Sequence, residues 1–306
     1  MTLTELRYIV AVARERHFGR AAEACFVSQP TLSVSIKKLE EELDVKIFER
    51  GASEVTVTPL GGDLVRQAQQ VLEQAAAIKE IAKRGKDPLS GALRLGVIYT
   101  IGPYLLPDLV RQAIERVPQM PLMLQENFTA KLLEMLRTGE LDCAIMAEPF
   151  PDVGLAIAPL YDEPFLAAVP TAHPLAKRKS ISAEELKQET MLLLGTGHCF
   201  RDHVLEVCPE YARFSSDAEG IRKTFEGSSL ETIKYMVASG MGVTVVPRLS
   251  VPEEAQPHVR YIPFAKPAPT RRVVLAWRRT FTRYEAIAAL RNAIYACPLK
   301  GVNRLS

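Results

Sequence analysis

From Thr4 to Ala13 the apolar residues Leu6, Ile9, Val10 and Ala13 recur at three- and four-residue spacing, the period of an amphipathic helix. A second short helix opens at His17-Phe18-Gly19-Arg20, where the small residues Ala21, Ala22 and Ala24 let a neighbouring helix come close. The chain then turns through Phe26-Val27 into Ser28-Gln29-Pro30-Thr31, with Ser28 suited to cap a helix and Pro30 tolerated in its first turn. This third helix runs to about Leu43. Its Leu32, Ile36, Leu39 and Leu43 form one apolar stripe, and Gln29, Thr31, Ser33 and Lys37 lie on the polar side. The three pieces predict a helix-turn-helix.

Beyond Phe48-Glu49-Arg50-Gly51 the alternating stretch Glu54 to Thr58 reads as a strand, which suits a small wing. Thr58-Pro59 starts a long helix, about Leu60 to Arg84, with Leu64, Ala68, Val71, Leu72, Ala75 and Ile78 along one side. A long helix with such a seam pairs with a partner helix, so it reads as a linker and dimerisation element. Gly85-Lys86-Asp87-Pro88 ends it. From Gly91 onward short apolar runs alternate with helices: strands at 92–98, 121–126 and 141–147, helices at 104–116 and 129–137. The same style continues with strands at 165–169, 191–194, 242–246 and 271–277 and helices at 229–239 and 283–296. Such alternation predicts an α/β domain with a largely parallel sheet.

A chain of 306 residues with 47% hydrophobic and 24% charged residues is globular and long enough for two domains or more. The net charge of +2 gives no electrostatic argument for nucleic acid, and residues 1–58 hold eight basic groups against nine acidic ones. Any DNA-binding role therefore rests on geometry. Glu5, Arg7, Arg14 and Arg16 interrupt the apolar N-terminus and no later run is long enough to span a bilayer, so the chain is expected to be cytoplasmic and not membrane-bound. Five cysteines (Cys25, Cys143, Cys199, Cys208, Cys297) are too sparse for a disulfide framework. No Cys and His spacing suits a metal, and no dinucleotide loop or nucleophile elbow is present, so neither cofactor nor metal is expected.

The residues Phe18-Gly19-Arg20-Ala21-Ala22, Val27-Ser28-Gln29-Pro30-Thr31-Leu32-Ser33, Lys37-Lys38-Leu39-Glu40, Phe48-Glu49-Arg50 and Thr56-Val57-Thr58-Pro59-Leu60-Gly61 closely resemble, in order, the LysR family of transcriptional regulators. The resemblance covers the whole chain. It implies an α/β protein with an N-terminal winged helix-turn-helix (1–58), a linker helix (59–86) and a two-lobed regulatory domain like periplasmic binding proteins (88–300). Lobe I would be 88–162 with 268–300, and lobe II 163–267. It also implies promoter DNA and RNA polymerase as partners, a homotetramer built as a dimer of dimers, and no enzymatic activity. On the third helix, Ser28, Gln29, Pro30, Thr31 and Ser33 suit DNA because a helix N-terminus attracts phosphate and short polar groups approach base edges. Lys37 and Arg50 would meet phosphates or the minor groove.

A second constellation, Gly195-Thr196-Gly197-His198-Cys199-Phe200-Arg201-Asp202 with Cys208-Pro209 beyond it, resembles the redox motif of the hydrogen-peroxide sensors within that family. A thiolate is the nucleophile toward peroxide, and a nearby cation, helix N-terminus or hydrogen-bond donor favours it; His198, Arg201 and the Gly-rich turn supply candidates. If 199–208 were one helix, its two cysteines would stand ~13 Å apart, beyond the ~7 Å Cα separation that a disulfide tolerates. Oxidation of Cys199 and its resolution by Cys208 would then have to unwind the segment, with thiol-disulfide reductants resetting it. Ile98 to Tyr104 and Glu126 to Thr129 would face the cleft between lobes, so Thr100 and Thr129 either hydrogen-bond peroxide or, for Thr100, cap the next helix. Asp202 either orients His198 or Arg201 or complements the helix dipole, and His203 reads as solvated surface. Cys25, Cys143 and Cys297 read as buried or incidental thiols. Two rivals stay open: a family member sensing a small metabolite with both cysteines as bystanders, and a thiol peroxidase.

Overall fold

The computed structural model describes residues 1–50, 55–83, 89–151, 153–210, 224–227 and 229–305; the side chains of residues 50, 79–83 and 224–227 fall outside it. Helix α1 (Leu3–Glu15) begins at a reciprocal Thr2–Glu5 capping box, and α2 (Phe18–Ala24) and α3 (Gln29–Leu43) follow. Ser28 caps α3 as expected, its hydroxyl accepting from the Thr31 N–H at 3.3 Å. Leu6, Ile9, Val12, Ala21, Leu32, Ile36 and Leu39 close one core among them. Glu40 is buried there because its Oε1 accepts from the N–H groups of Ile47 (2.7 Å) and Phe48 (3.2 Å). That bond ties the end of α3 to a two-stranded antiparallel wing, β1 (Phe48–Arg50) with β2 (Val55–Val57). The wing's tip, 51–54, lies outside the described residues.

Helix α4 (Pro59–Lys83) is the long helix expected after the wing, with its expected stop at 84–88 outside the described residues. Its seam behaves differently from expectation. Leu64, Ala68 and Leu72 pack within this chain against the helix-turn-helix core, while Val71 and Ile78 stay exposed.

The rest of the chain is built on β3 (Leu93–Ile98), β4 (Leu122–Asn127), β5 (Cys143–Ala147), β6 (Leu155–Pro170), β9 (Thr244–Pro247), β10 (Val259–Pro263) and β11 (Thr270–Arg278). They run in the order β10-β6-β11-β5-β3-β4, with β9 also on β6. The expectation of a largely parallel sheet is corrected here. Within this sheet, among the described residues, β3 pairs in parallel with β4 and β5, while β11 runs antiparallel to β5 and β6, and β9 and β10 antiparallel to β6; a separate two-stranded ribbon, β7 (Met191–Leu194) with β8 (Thr224–Gly227), is parallel. The reason is that β11 returns late in the chain and inserts between β5 and β6, a connection that local periodicity does not encode.

The first half of β6 packs in one hydrophobic core with α5 (Gly102–Arg116), α6 (Thr129–Arg137) and α10 (Tyr284–Ala296). Its second half enters another core with β7 (Met191–Leu194), α8 (Cys199–Val207) and α9 (Leu230–Ala238). One continuous strand thus runs through both cores, and two side chains, Tyr104 on α5 and Glu231 on α9, hydrogen-bond across between them at 2.5 Å.

Where α4 meets the larger unit, Glu73 is held between three groups. The Thr280 hydroxyl donates to its Oε2 at 2.8 Å, Gln69 Nε2 donates to Oε1 at 3.2 Å, and Arg278 Nε lies 2.8 Å from Oε1, out of line for a hydrogen bond but close as an ion pair. Arg278 is buried and donates to the carbonyls of Leu136 and Leu141. Removing the carboxylate leaves a buried guanidinium with no counter-ion, so Glu73→Ala is expected to cost about 3 kcal/mol in chemical denaturation. Gln74→Ala, on the exposed side of the same turn, should change little.

Candidate functional site

Cys199 occupies the first helical position of α8, with His198 as N-cap, where backbone N–H groups and the positive end of the helix favour developing negative charge. The turn before it depends on Gly197, at φ +99°, with the Phe128 ring 3.3 Å from where a Cβ would stand. His198 is buried edge-on against Phe128 at 4.8 Å between centroids and lies near Tyr99 at 5.8 Å. These residues, with Ile98, Thr100, Asn127, Thr129 and Cys199, enclose a cavity of about 10 Å³. That is the room taken by one water-sized molecule. Within its lining the Thr129 hydroxyl is buried without a hydrogen-bond partner.

Thr100 does not cap α5; Ile101 holds the N-cap position, without a side-chain bond. Instead the Thr100 hydroxyl accepts from Arg271 Nη1 at 2.7 Å and its carbonyl from Nη2 at 3.0 Å. Arg271, on β11, is 2% exposed and donates from Nε to Glu163 Oε2 at 2.9 Å, while Glu163 Oε1 accepts from the Leu249 N–H at 2.7 Å. Its guanidinium also lies 5.1 Å from the centre of the Phe200 ring. A single buried cation therefore joins the cavity wall, the long strand β6 and helix α8. Sequence reading missed Arg271 and Glu163, because 108 residues separate the pair and each stands in an otherwise ordinary strand.

Cys208 is fully buried in the second core and takes the C-cap position, its N–H donating to the Val204 carbonyl at 2.9 Å. The two thiols thus sit at opposite ends of one unbroken helix, ~13 Å apart, and both are free. Burial, followed by the nearby Glu210 carboxylate, pushes the Cys208 thiol up to about 12.

Of the other expected residues, Arg201 is buried and Asp202 exposed, and neither lines the cavity. His203 is a correction: it is buried against Phe165 and Phe200, and its Nε2 donates to the Glu148 carbonyl at 2.7 Å. Its position four residues after Cys199 turns it inward, toward the strand face, and burial holds its ring below the ordinary imidazole range. Cys143 and Cys297 are buried as expected, and Cys25 is half-buried at the C-cap of α2. On α3, Ser28, Gln29, Pro30, Thr31 and Lys37 are exposed and Ser33 half-buried, with Lys37 3.6 Å from Glu41. The Arg50 side chain lies outside the described residues. Among the described residues no group of side chains could hold a metal ion, and no helix is long and apolar enough to cross a membrane.

Residues 3–62 match the bacterial regulatory helix-turn-helix protein, lysR family, and residues 86–296 match the LysR substrate binding domain. The chain is 41% identical over 292 residues to the DNA-binding transcriptional dual regulator OxyR of Escherichia coli K12, covering 94% of each protein. It superposes on full-length OxyR from Pseudomonas aeruginosa, a cysteine-to-aspartate variant, with a TM-score of 0.79 and 52% identity over 97% of this chain and 98% of that one. It also superposes on a hydrogen-peroxide-bound cysteine-to-serine variant of OxyR from Corynebacterium glutamicum (TM-score 0.63, 33% identity, 96% and 91% covered).

The raised Cys208 thiol gives a pH signature. Burying it neutral stabilises the helix fully below about pH 9, and that contribution is lost as pH rises from 9 toward 12, where only the opened segment ionises. The rate at which oxidised Cys199 is converted to disulfide should therefore keep rising beyond about pH 9.5, by at most tenfold per pH unit. An exposed resolving thiol would level off there, and a plateau in quenched-flow mass spectrometry would contradict the buried assignment.

Proposed function

The chain belongs to the LysR family of transcriptional regulators, and from that we propose that it is a DNA-binding regulator switched by hydrogen peroxide at Cys199. The observation that carries this reading is the cavity beside Cys199, with its room for one small molecule and its unpartnered Thr129 hydroxyl. Sites for metabolites measure roughly 300–1,000 Å³, far more than this cavity, which favours peroxide over a metabolite beside Cys199. Peroxide held by Thr100 and Thr129, with Gly197 and His198 as the cavity's other wall, presents one oxygen to the Cys199 sulfur. The thiolate attacks it, the O–O bond breaks, and hydroxide leaves as water after taking a proton, giving a sulfenic acid. The Cys208 thiolate then attacks the Cys199 sulfur, the S–O bond breaks, a second water leaves, and the disulfide forms. Two electrons pass from two thiols to one peroxide. Because the helix holds the sulfurs apart, the second step runs only from an unwound 199–207 segment, and thiol-disulfide reductants reverse it. Arg201 and Asp202, off the cavity, act on the helix itself. Use of peroxide is stoichiometric, as a signal, rather than catalytic as in a thiol peroxidase.

For the DNA side, the reading assigns 1–58 to a winged helix-turn-helix that binds promoter DNA through Ser28, Gln29, Pro30, Thr31, Ser33, Lys37 and Arg50. It assigns 59–86 to the linker and 88–300 to the redox unit, in lobes 88–162 with 268–300 and 163–267. A homotetramer arranged as a dimer of dimers, acting on RNA polymerase in the cytoplasm, completes the proposal.

Mass spectrometry after one equivalent of peroxide should show a Cys199–Cys208 bond in the wild type and a Cys199 sulfenic acid in Cys208→Ser. Thr129→Val, which keeps the shape and removes the hydroxyl, should slow Cys199 oxidation about tenfold, the loss of one hydrogen bond in the transition state. An unmodified Cys199 would sink the sensor reading. On DNA, Lys37→Ala should weaken binding about equally across duplexes, whereas Gln29→Ala should relax preference at one base pair. Equal wild-type affinity for unrelated duplexes would refute specific recognition.

A further inference from the structure

The outer side of α3 carries apolar groups that neither its packing nor its hydrogen-bonding residues explain. A helix turns ~100° per residue, so with Leu32, Ile36 and Leu39 fixing the core side, Val34 projects from the opposite side. It is 67% exposed, with exposed Pro30 one turn before it and exposed Lys37 and Lys38 one turn after. Valine in mid-helix also brings no helix propensity over the common alternatives, so this position gains nothing for folding.

A second exposed apolar side chain, Phe26, lies in the turn between α2 and α3. It is 96% exposed and sits at φ +56°, a conformation uncommon for a bulky residue, held by its N–H to the Glu23 carbonyl at 3.0 Å. Its neighbour Val27 packs inward on the helix-turn-helix core and donates its N–H to the Ala22 carbonyl at 3.0 Å. The turn therefore fixes Phe26 outward, three residues before the exposed Gln29 at the start of α3.

In the major groove only thymine offers an apolar group, its C5-methyl, and aliphatic or aromatic side chains meet it there. We propose that Val34 and Phe26 read thymine methyl groups, adding apolar base reading to the hydrogen bonds that Gln29 makes. This rests on the DNA-binding reading of α3. Duplex DNA, rather than a protein partner, is the occupant because both side chains belong to the same turn-and-helix segment as the exposed Gln29 and Thr31, and the exposed cations Lys37, 3.6 Å from Glu41, and Lys38 follow Val34 one turn on, where they suit phosphates.

The test uses the full-length reduced protein and a duplex that it selects from a random library. Each thymine of that duplex is replaced in turn by deoxyuridine, which removes the methyl and nothing else. At one or two positions the wild type should lose about three- to fourfold in affinity, the effect of one buried methyl. Val34→Ala should lose that sensitivity at one position and Phe26→Ala at another, each variant otherwise keeping the selected sequence. The inference is overturned if no single replacement matters, or if both variants keep the full wild-type sensitivity. Failure of the protein to select any sequence would overturn this inference together with the DNA-binding reading, whereas selection without methyl sensitivity would overturn this inference alone.

Discussion

A helix with a thiol at each end cannot form the bond between them, and that constraint organises the regulatory unit. Helix α8 keeps Cys199 at the cavity and Cys208 in the second core, ~13 Å apart against the ~7 Å a disulfide tolerates. What holds the helix is ordinary packing: Phe200, Val204 and Cys208 are buried in that core, and His203 donates to the Glu148 carbonyl. Each large buried side chain contributes about 1.5–3 kcal/mol, so opening the segment costs several kcal/mol and happens only when something follows from it. In the proposed mechanism a covalent bond follows once Cys199 is oxidised. The helix is thus both the positioning device for Cys199 and the barrier that keeps Cys208 from reacting early.

In the proposed mechanism, opening of α8 acts on Arg271. Its guanidinium holds Thr100 in the cavity wall, pairs with Glu163 on β6 and lies over Phe200 of the helix, so displacement of Phe200 removes one of its contacts. Arg271 stands near the start of β11, and Arg278 ends the same strand beside Glu73 of the linker helix. Seven residues of strand span ~23 Å. A single element therefore reaches the wall of the cavity beside Cys199 through Thr100 at one end and α4 at the other, and it is hydrogen-bonded on both sides, to β5 and β6. Rigid elements of this kind transmit a shift without dissipating it locally.

Much of this was readable in advance. The helix-turn-helix declares itself because Ser28 caps, Pro30 starts and Leu32, Ile36 and Leu39 repeat at one period, all of it local physics. The cysteine pair was singled out by resemblance to the family's redox motif, and only its separation, a count along a helix, came from local physics. The mixed sheet was not, since β11 finds its place only through contacts distant in sequence, and nothing in its own pattern distinguishes parallel from antiparallel neighbours. Arg271 and Glu163 escaped on the same ground. Their buried pairing is a tertiary fact, and singly each looks like a surface charge on a strand. His203 was misplaced because a polar side chain between Asp202 and Val204 gives no hint that a carbonyl 55 residues earlier will meet it.

Unwinding of residues 199–207 when the sulfurs join is the step on which the proposed switch depends. Amide hydrogen exchange on the full-length protein, reduced and after one equivalent of peroxide, measures this directly. Protected amides in 199–207 that lose their protection on disulfide formation, while those of β3 and β11 keep theirs, are the predicted result. Unchanged protection across 199–207 in a protein that has formed the Cys199–Cys208 bond would contradict the central claim.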